Sequence, residues 1–256
     1  MARFLIPLLA GALTATCVAQ APLPQALKGV HRVVMLGDGI TQLGEGTRGY
    51  VWLVRHYLQD IYPAQSFQVV NAGVSGNRSN DMATRFEKDV LEAKPDLITI
   101  SVGMDDVKDG LLDNHPDGDG SQGVPLDAFR KNLEAMVGQG MAAGARVVIL
   151  SGTPLGEDLD SPMNAKAKSF NNALRDVARE HHLIFVDYQK PFQALIAAYR
   201  KTTGASDLLL TVDGIHMNDQ GNLVMAHTLL TALGVPPALQ EAADKQVFDQ
   251  EQVQYP

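Results

Sequence analysis

Short runs of consecutive apolar residues alternate along this chain with longer stretches in which apolar residues recur every three or four positions. The runs are Val33-Val34-Met35-Leu36, Phe67 to Val70, Leu97-Ile98-Thr99-Ile100-Ser101-Val102, Val147-Val148-Ile149-Leu150 and Leu183-Ile184-Phe185-Val186. Runs of this length, rich in β-branched residues, predict strands buried on both faces. Between them, Tyr50, Leu53, Val54, Tyr57, Leu58 and Ile61 fall at helical spacing. So do Met82, Phe86 and Val90, then Leu126, Phe129, Leu133, Met136 and Val137, then Phe170, Leu174, Val177 and Ala178. A last helix is expected over about 218–233. Strands that alternate with helices predict a parallel sheet with right-handed crossovers. The expected fold is one α/β domain over residues 30–235, a three-layer α/β/α sandwich with about five strands. Two segments break the pattern. Residues 103–125 are rich in Asp, Gly and Pro and read as a long irregular loop, and residues 236–256 read as an acidic polar tail.

Doubly wound sheets bind ligands outside the carboxyl ends of their strands. Four blocks fall there: Gly37-Asp38-Gly39-Ile40-Thr41, Asn71-Ala72-Gly73-Val74-Ser75-Gly76-Asn77-Arg78-Ser79-Asn80-Asp81, Gly103-Met104-Asp105-Asp106, and Asp213-Gly214-Ile215-His216-Met217-Asn218, followed by Gly221. The first is no dinucleotide fingerprint, because Gln42 stands where its third glycine would fall.

In order and spacing these blocks resemble those of the SGNH (GDSL-type) esterase and lipase family, over nearly all of the chain beyond its N-terminal segment. The resemblance implies a flavodoxin-like parallel sheet and removal of acyl or acetyl groups from lipids, glycans or small esters, without a cofactor. It also implies roles. His216 would be the base, oriented by Asp213, and Gly76 would give a backbone donor to the oxyanion. Position 39 would carry the nucleophilic serine and position 105 the oxyanion asparagine, and here these are Gly39 and Asp105.

Both departures bear on chemistry. Acyl transfer through a covalent intermediate needs an oxygen or sulfur nucleophile beside a base, and Gly39 has no side chain. An ionised Asp105 can only accept hydrogen bonds, and it would repel an oxyanion unless its pKa were raised. The expectation is an ester-hydrolase domain with little serine-type turnover, an acylated carbohydrate being its first expected ligand. Two alternatives stay open: a non-catalytic binding module for an acylated glycan or small ester, and a metal-dependent site built from Asp38, Asp105, Asp213 and His216. Activation of water by His216 is a further route to slow hydrolysis. The neighbouring hydroxyls have plainer readings, Thr41 as a helix cap, Ser75 as a turn residue and Ser101 as a strand residue. Asp38, Asn71 and Arg78 flank the blocks as binding candidates, Arg78 toward an anionic or sugar group or else in a salt bridge.

Composition narrows the setting. The 256 residues are 45% hydrophobic and 20% charged, with a net charge of −8. That is ordinary globular composition, and without a basic block no nucleic-acid partner is expected. Arg3 precedes the apolar run Phe4 to Leu13 and the small residues 14–19, a signal-peptide layout with cleavage after Ala19 or Ala21. The run is too short for a membrane span, so the expected location is periplasmic or secreted. Cys17 is the sole cysteine, which excludes an internal disulfide and a cysteine metal site. A lipoprotein reading would use Cys17, but Leu13 sits one place too early for a lipobox. The stretch Asp113 to Gly120 has the alternating acids of a calcium loop; Pro116, and Val124 in place of the closing glutamate, make it a solvated turn. Trp52 reads as core, His181 and His182 as a helix end, and His227 as a boundary residue.

Overall fold

The computed structural model describes residues 21–112 and 122–249. Residues 1–19, expected above to be a signal peptide, together with Cys17 and the Asp113–Gly120 stretch, lie outside the described residues. Five strands, β1 (Arg32–Gly37), β2 (Gln68–Gly73), β3 (Leu97–Ser101), β4 (Arg146–Leu150) and β5 (Ile184–Val186), form one sheet in the order β2-β1-β3-β4-β5. All four pairings are parallel. Helices cover both faces: α1 (Gly39–Leu43), α2 (Tyr50–Ile61), α3 (Ser79–Asp89), α4 (Met104–Leu112), α5 (Leu126–Ala142), α6 (Pro162–Glu180), α7 (Gln189–Thr203), α8 (Asp219–Ala232) and α9 (Pro237–Asp249). The flavodoxin-like α/β sandwich expected from the sequence is what the chain forms.

Beyond Arg32 and Arg146, which open β1 and β4, the central strands are buried, and Val34, Met35 and Leu36 of β1 and Ile98 and Ile100 of β3 have no exposed surface. Burial on both faces is why these strands read as unbroken apolar runs. Winding starts at β1 and leaves in both directions, to β2 on one side and β3 on the other. The loops after β1 and β3 therefore open a crevice between them, the topological switch point where such sheets bind ligands.

Four features differ from the sequence pattern. β2 continues past Val70 through Asn71-Ala72-Gly73, paired with Met35-Leu36-Gly37, so its polar end belongs to the sheet. The segment 103–125, expected to be irregular, opens with α4, anchored by the buried Met104 and Val107. α7 has no counterpart in the sequence reading, although Phe192 and Ile196 are buried one helical turn apart. The polar stretch after 236 is helical over Pro237–Asp249. Gln240 and Ala243 are buried there, and Asp244 accepts hydrogen bonds from Tyr57 Oη and from His227 Nε2, the latter at 3.0 Å.

Candidate functional site

The first block turns so sharply because two glycines leave room for it. Gly37 and Gly73 are paired at the ends of β1 and β2. A Cβ on Gly37 would lie 1.9 Å from Thr41 Oγ1, and one on Gly73 would lie 2.3 Å from the Gln42 backbone nitrogen. Without side chains at either point, α1 packs directly over the strand ends. Asp38 caps this helix, its Oδ1 accepting from the Ile40 amide at 3.0 Å. Thr41 is not the cap. It is buried inside α1, and its hydroxyl shares a 2.8 Å hydrogen bond with Tyr50 Oη. Asn71 ties the second block to the first, donating to the Thr41 carbonyl at 2.6 Å and accepting from the Gly73 amide at 2.8 Å. The Ser75 amide donates to Gln42 Oε1 at 2.8 Å.

The third block is held from beneath. Buried Asp106 accepts from the Ser79 amide through both oxygens, at 3.0 and 3.1 Å, and from the Ser79 hydroxyl at 2.6 Å. Asn132 in turn donates to that hydroxyl at 3.1 Å. Asp105 faces the other way, toward Lys108, whose ammonium lies 3.1 Å from Asp105 Oδ1 and 2.8 Å from Asp109 Oδ1.

In the fourth block the Asp213 carboxylate is fixed by three donors. Oδ1 accepts from the Ile215 and His216 amides at 2.9 and 2.7 Å, and Oδ2 lies 2.7 Å from His216 Nδ1. An ionised carboxylate can only accept, so Nδ1 carries a proton, and a neutral ring then keeps its lone pair on Nε2. Partial burial alone would raise the Asp213 pKa. The hydrogen bonds from the His216 ring and the two amides outweigh it and hold the pKa at about 2.

These elements meet in a pocket of about 160 Å³ walled by Asp38, Gly39, Ser75, Gly76, Asp105, Lys108 and His216, with Ile40, Met104 and Ile215 as its apolar surface. The structure thus brings together Asp38, Gly39, Gly76, Asp105 and His216, with Asp213 behind His216. Asn71 and Arg78 are not in its wall. Asn71 braces the turn, and Arg78 pairs with Asp81 at 3.1 Å and donates to the Gln122 carbonyl. A larger groove of about 860 Å³ follows α6 and α7 and contains none of the four blocks.

The electrostatics are those of crowded acids. Burial and then the nearby Asp105 push Asp38 up to about 7. Burial likewise raises Asp105, against the pull of the Lys108 ammonium. Asp106 is raised by burial to about 6 despite its bonds from Ser79. Among the described residues, no group of three or more His, Cys, Asp or Glu side chains is disposed to hold a metal ion. Asp38 is committed to its own turn and Asp213 to His216, so the four-residue metal alternative is not assembled. Sequence reasoning misses Lys108. Its signal is its place three residues after Asp105, legible only once 104–112 is read as a helix.

Comparison with known proteins agrees with this fold. The model of the GDSL-like Lipase/Acylhydrolase family matches residues 35–224. An acetylxylan esterase from Geobacillus stearothermophilus is 26% identical over 220 residues, covering 80% of this chain and 94% of its own. A Bacillus subtilis (strain 168) protein named as the uncharacterized lipoprotein YqeF is 25% identical over 223 residues, covering 76% of this chain and 86% of its own. The crystal structure of an acetyl xylan esterase, AlAXEase, superposes with a TM-score of 0.70 at 26% identity, covering 78% of this chain and 98% of that one.

Proposed function

We propose, for a chain that belongs to the GDSL-like lipase/acylhydrolase family, that its pocket binds acyl or acetyl esters linked to carbohydrate and hydrolyses them far more slowly than a serine-armed relative would. The carrying observation is the His216–Asp213 pair, which faces a pocket where Gly39 offers no side chain. The base is oriented and keeps a free Nε2, whereas the attacking oxygen normally carried at position 39 is absent. Loss of the nucleophile from such a constellation costs several orders of magnitude in kcat.

Asp105 deepens the impairment. A carbonyl oxygen that gains negative charge needs donors, and Asp105 presents a carboxylate half-neutralised by Lys108. Gly76 then stands as the second-block backbone donor. The acetyl-ester reading is supported by the pocket's small volume and by relatives that are acetylxylan esterases. Export is part of the reading. The segment 1–19 has a signal-peptide layout, one relative is named a lipoprotein, and among the described residues no helix is long and apolar enough to cross a membrane.

Calorimetry with acetylated and deacetylated xylooligosaccharides tests the binding part. Heat from the acetylated ligand alone is the expected result. Equal binding of both ligands, or of neither, overturns the reading.

A further inference from the structure

We propose that Ser75 is the nucleophile of the residual hydrolysis, standing in for the missing side chain at position 39. The inference rests on the ester-pocket reading above. A Cβ on Gly39 would have Ser75 as its nearest neighbour, with Oγ at 3.1 Å, Cα at 3.5 Å and Cβ at 3.6 Å. A serine oxygen at position 39 would sit one bond beyond that Cβ. The Ser75 hydroxyl thus occupies the edge of the space an attacking oxygen would use. It shares the pocket wall with His216, Gly76, Asp105 and Lys108.

Three further observations fit a reactive rather than a structural hydroxyl. Ser75 is exposed, so its oxygen is open to ligand. Its backbone amide is fixed by Gln42, which holds the residue in place without engaging the side chain. The hydroxyl itself makes no hydrogen bond among the described residues, unlike Thr41, bonded to Tyr50, and Ser79, bonded to Asp106.

The step balances as ordinary acyl transfer. Ser75 Oγ bonds to the ester carbonyl carbon while its proton passes to His216 Nε2, and the carbonyl π electrons move to oxygen. That oxyanion meets the Lys108 ammonium, which lines the same pocket. Collapse breaks the bond to the alcohol oxygen, which takes the proton from His216 and leaves. Water then attacks the acyl-Ser75 ester through the same base, releasing the acid and restoring the hydroxyl. The route is slow because Ser75 approaches from beside, not through, the position the base and donors were built around.

The test uses the full chain and a fluorophosphonate probe, read by intact mass and peptide mapping, with p-nitrophenyl acetate turnover measured in parallel. A single adduct on Ser75 is expected. It should be absent in Ser75→Ala and His216→Ala, with residual turnover reduced roughly a hundredfold in each at unchanged melting temperature. In Ser75→Cys, an acetyl thioester at position 75 should accumulate. An adduct mapped elsewhere, no adduct, or turnover indifferent to Ser75→Ala overturns the proposal. Turnover that is indifferent to Ser75→Ala but lost in His216→Ala would assign the attack to water instead. If acetylated xylooligosaccharide still binds when no adduct forms, the Ser75 assignment falls while the ester pocket stands; if neither occurs, both fall.

Discussion

His216 Nδ1 lies 2.7 Å from Asp213 Oδ2, and the other oxygen of the same carboxylate accepts two backbone amides from the turn that carries the histidine. The aspartate therefore sets the tautomer of the ring and also the shape of the loop that presents it. Asp213→Asn replaces an acceptor with a group that can donate to the ring and favour the wrong tautomer. In a variant carrying Gly39→Ser and Asp105→Asn, this further change is expected to lower kcat by about 10²–10⁴ with little change in KM. Steady-state kinetics on p-nitrophenyl acetate measures it.

Beneath the pocket, Asp106 holds the third block to the start of α3 through Ser79. Asp106→Ala leaves the buried amide and hydroxyl of Ser79 without their acceptor. The expected loss is about 2–4 kcal/mol in urea denaturation. Asp106→Asn, which keeps one acceptor oxygen, should lose less than half as much.

Asp38 gives stability a pH dependence of definite sign. Its carboxyl titrates near 7 in the fold and near 3.8 when exposed, so between those values the folded chain holds a proton that the unfolded chain has released. Stability from this group is fully present below about pH 4 and is lost as the pH rises through 7. Asp38→Asn keeps an acceptor for the Ile40 amide, since asparagine also caps helices, and removes the titration. The stability of this variant relative to the parent should rise by about 2–3 kcal/mol between pH 5 and pH 8. Thermal melts across that range decide it; a flat or falling difference would show that Asp38 is not the buried acid described.

Beside the buried Gln240 and Ala243, Asp244 ties α9 to the rest of the fold, taking hydrogen bonds from Tyr57 of α2 and His227 of α8. Asp244→Ala is expected to cost about 1 kcal/mol. It should also speed amide exchange in α9 more than in α5. Tyr57→Phe should cost a similar amount, and the double variant less than the sum, because the two changes remove the same bond.

Most of this architecture can be read from hydrophobic pattern alone. β1, β3 and β4 are continuous apolar runs because both of their faces are covered, β5 is a short apolar run only part-buried at Ile184 and Phe185, and α2, α3, α5 and α6 show one apolar stripe each. What escapes is held by few apolar contacts or by polar ones. α4 carries Met104, Val107, Leu111 and Leu112 at helical spacing, but within a stretch whose Asp, Gly and Pro residues read as a loop, and α9 is fastened in part through Asp244. β2 ends in Asn71, whose side chain serves the neighbouring turn, so its polar residues hide its true length. The site blocks are legible because short turns need particular residues: glycine at 37 and 73 for close approach, and aspartate at 38 and 213 to bind nearby amides. Ser75 and Lys108 are not: Ser75 matters through its distance to Gly39 across two loops, and Lys108 through an i,i+3 pairing with Asp105 that shows only once 104–112 is read as a helix.

If the ester pocket is intact and has lost only its attacking oxygen and one oxyanion donor, restoring both restores turnover. The most direct measurement is turnover of p-nitrophenyl acetate and acetylated xylooligosaccharides by the Gly39→Ser, Asp105→Asn double variant beside the parent. A Cβ at position 39 would lie 3.1 Å from the free Ser75 hydroxyl, which can rotate aside, and at ordinary contact distances of 3.5 and 3.6 Å from Ser75 Cα and Cβ. Turnover should rise by roughly three orders of magnitude and become independent of Ser75. A folded double variant that hydrolyses no faster than the parent would contradict the claim.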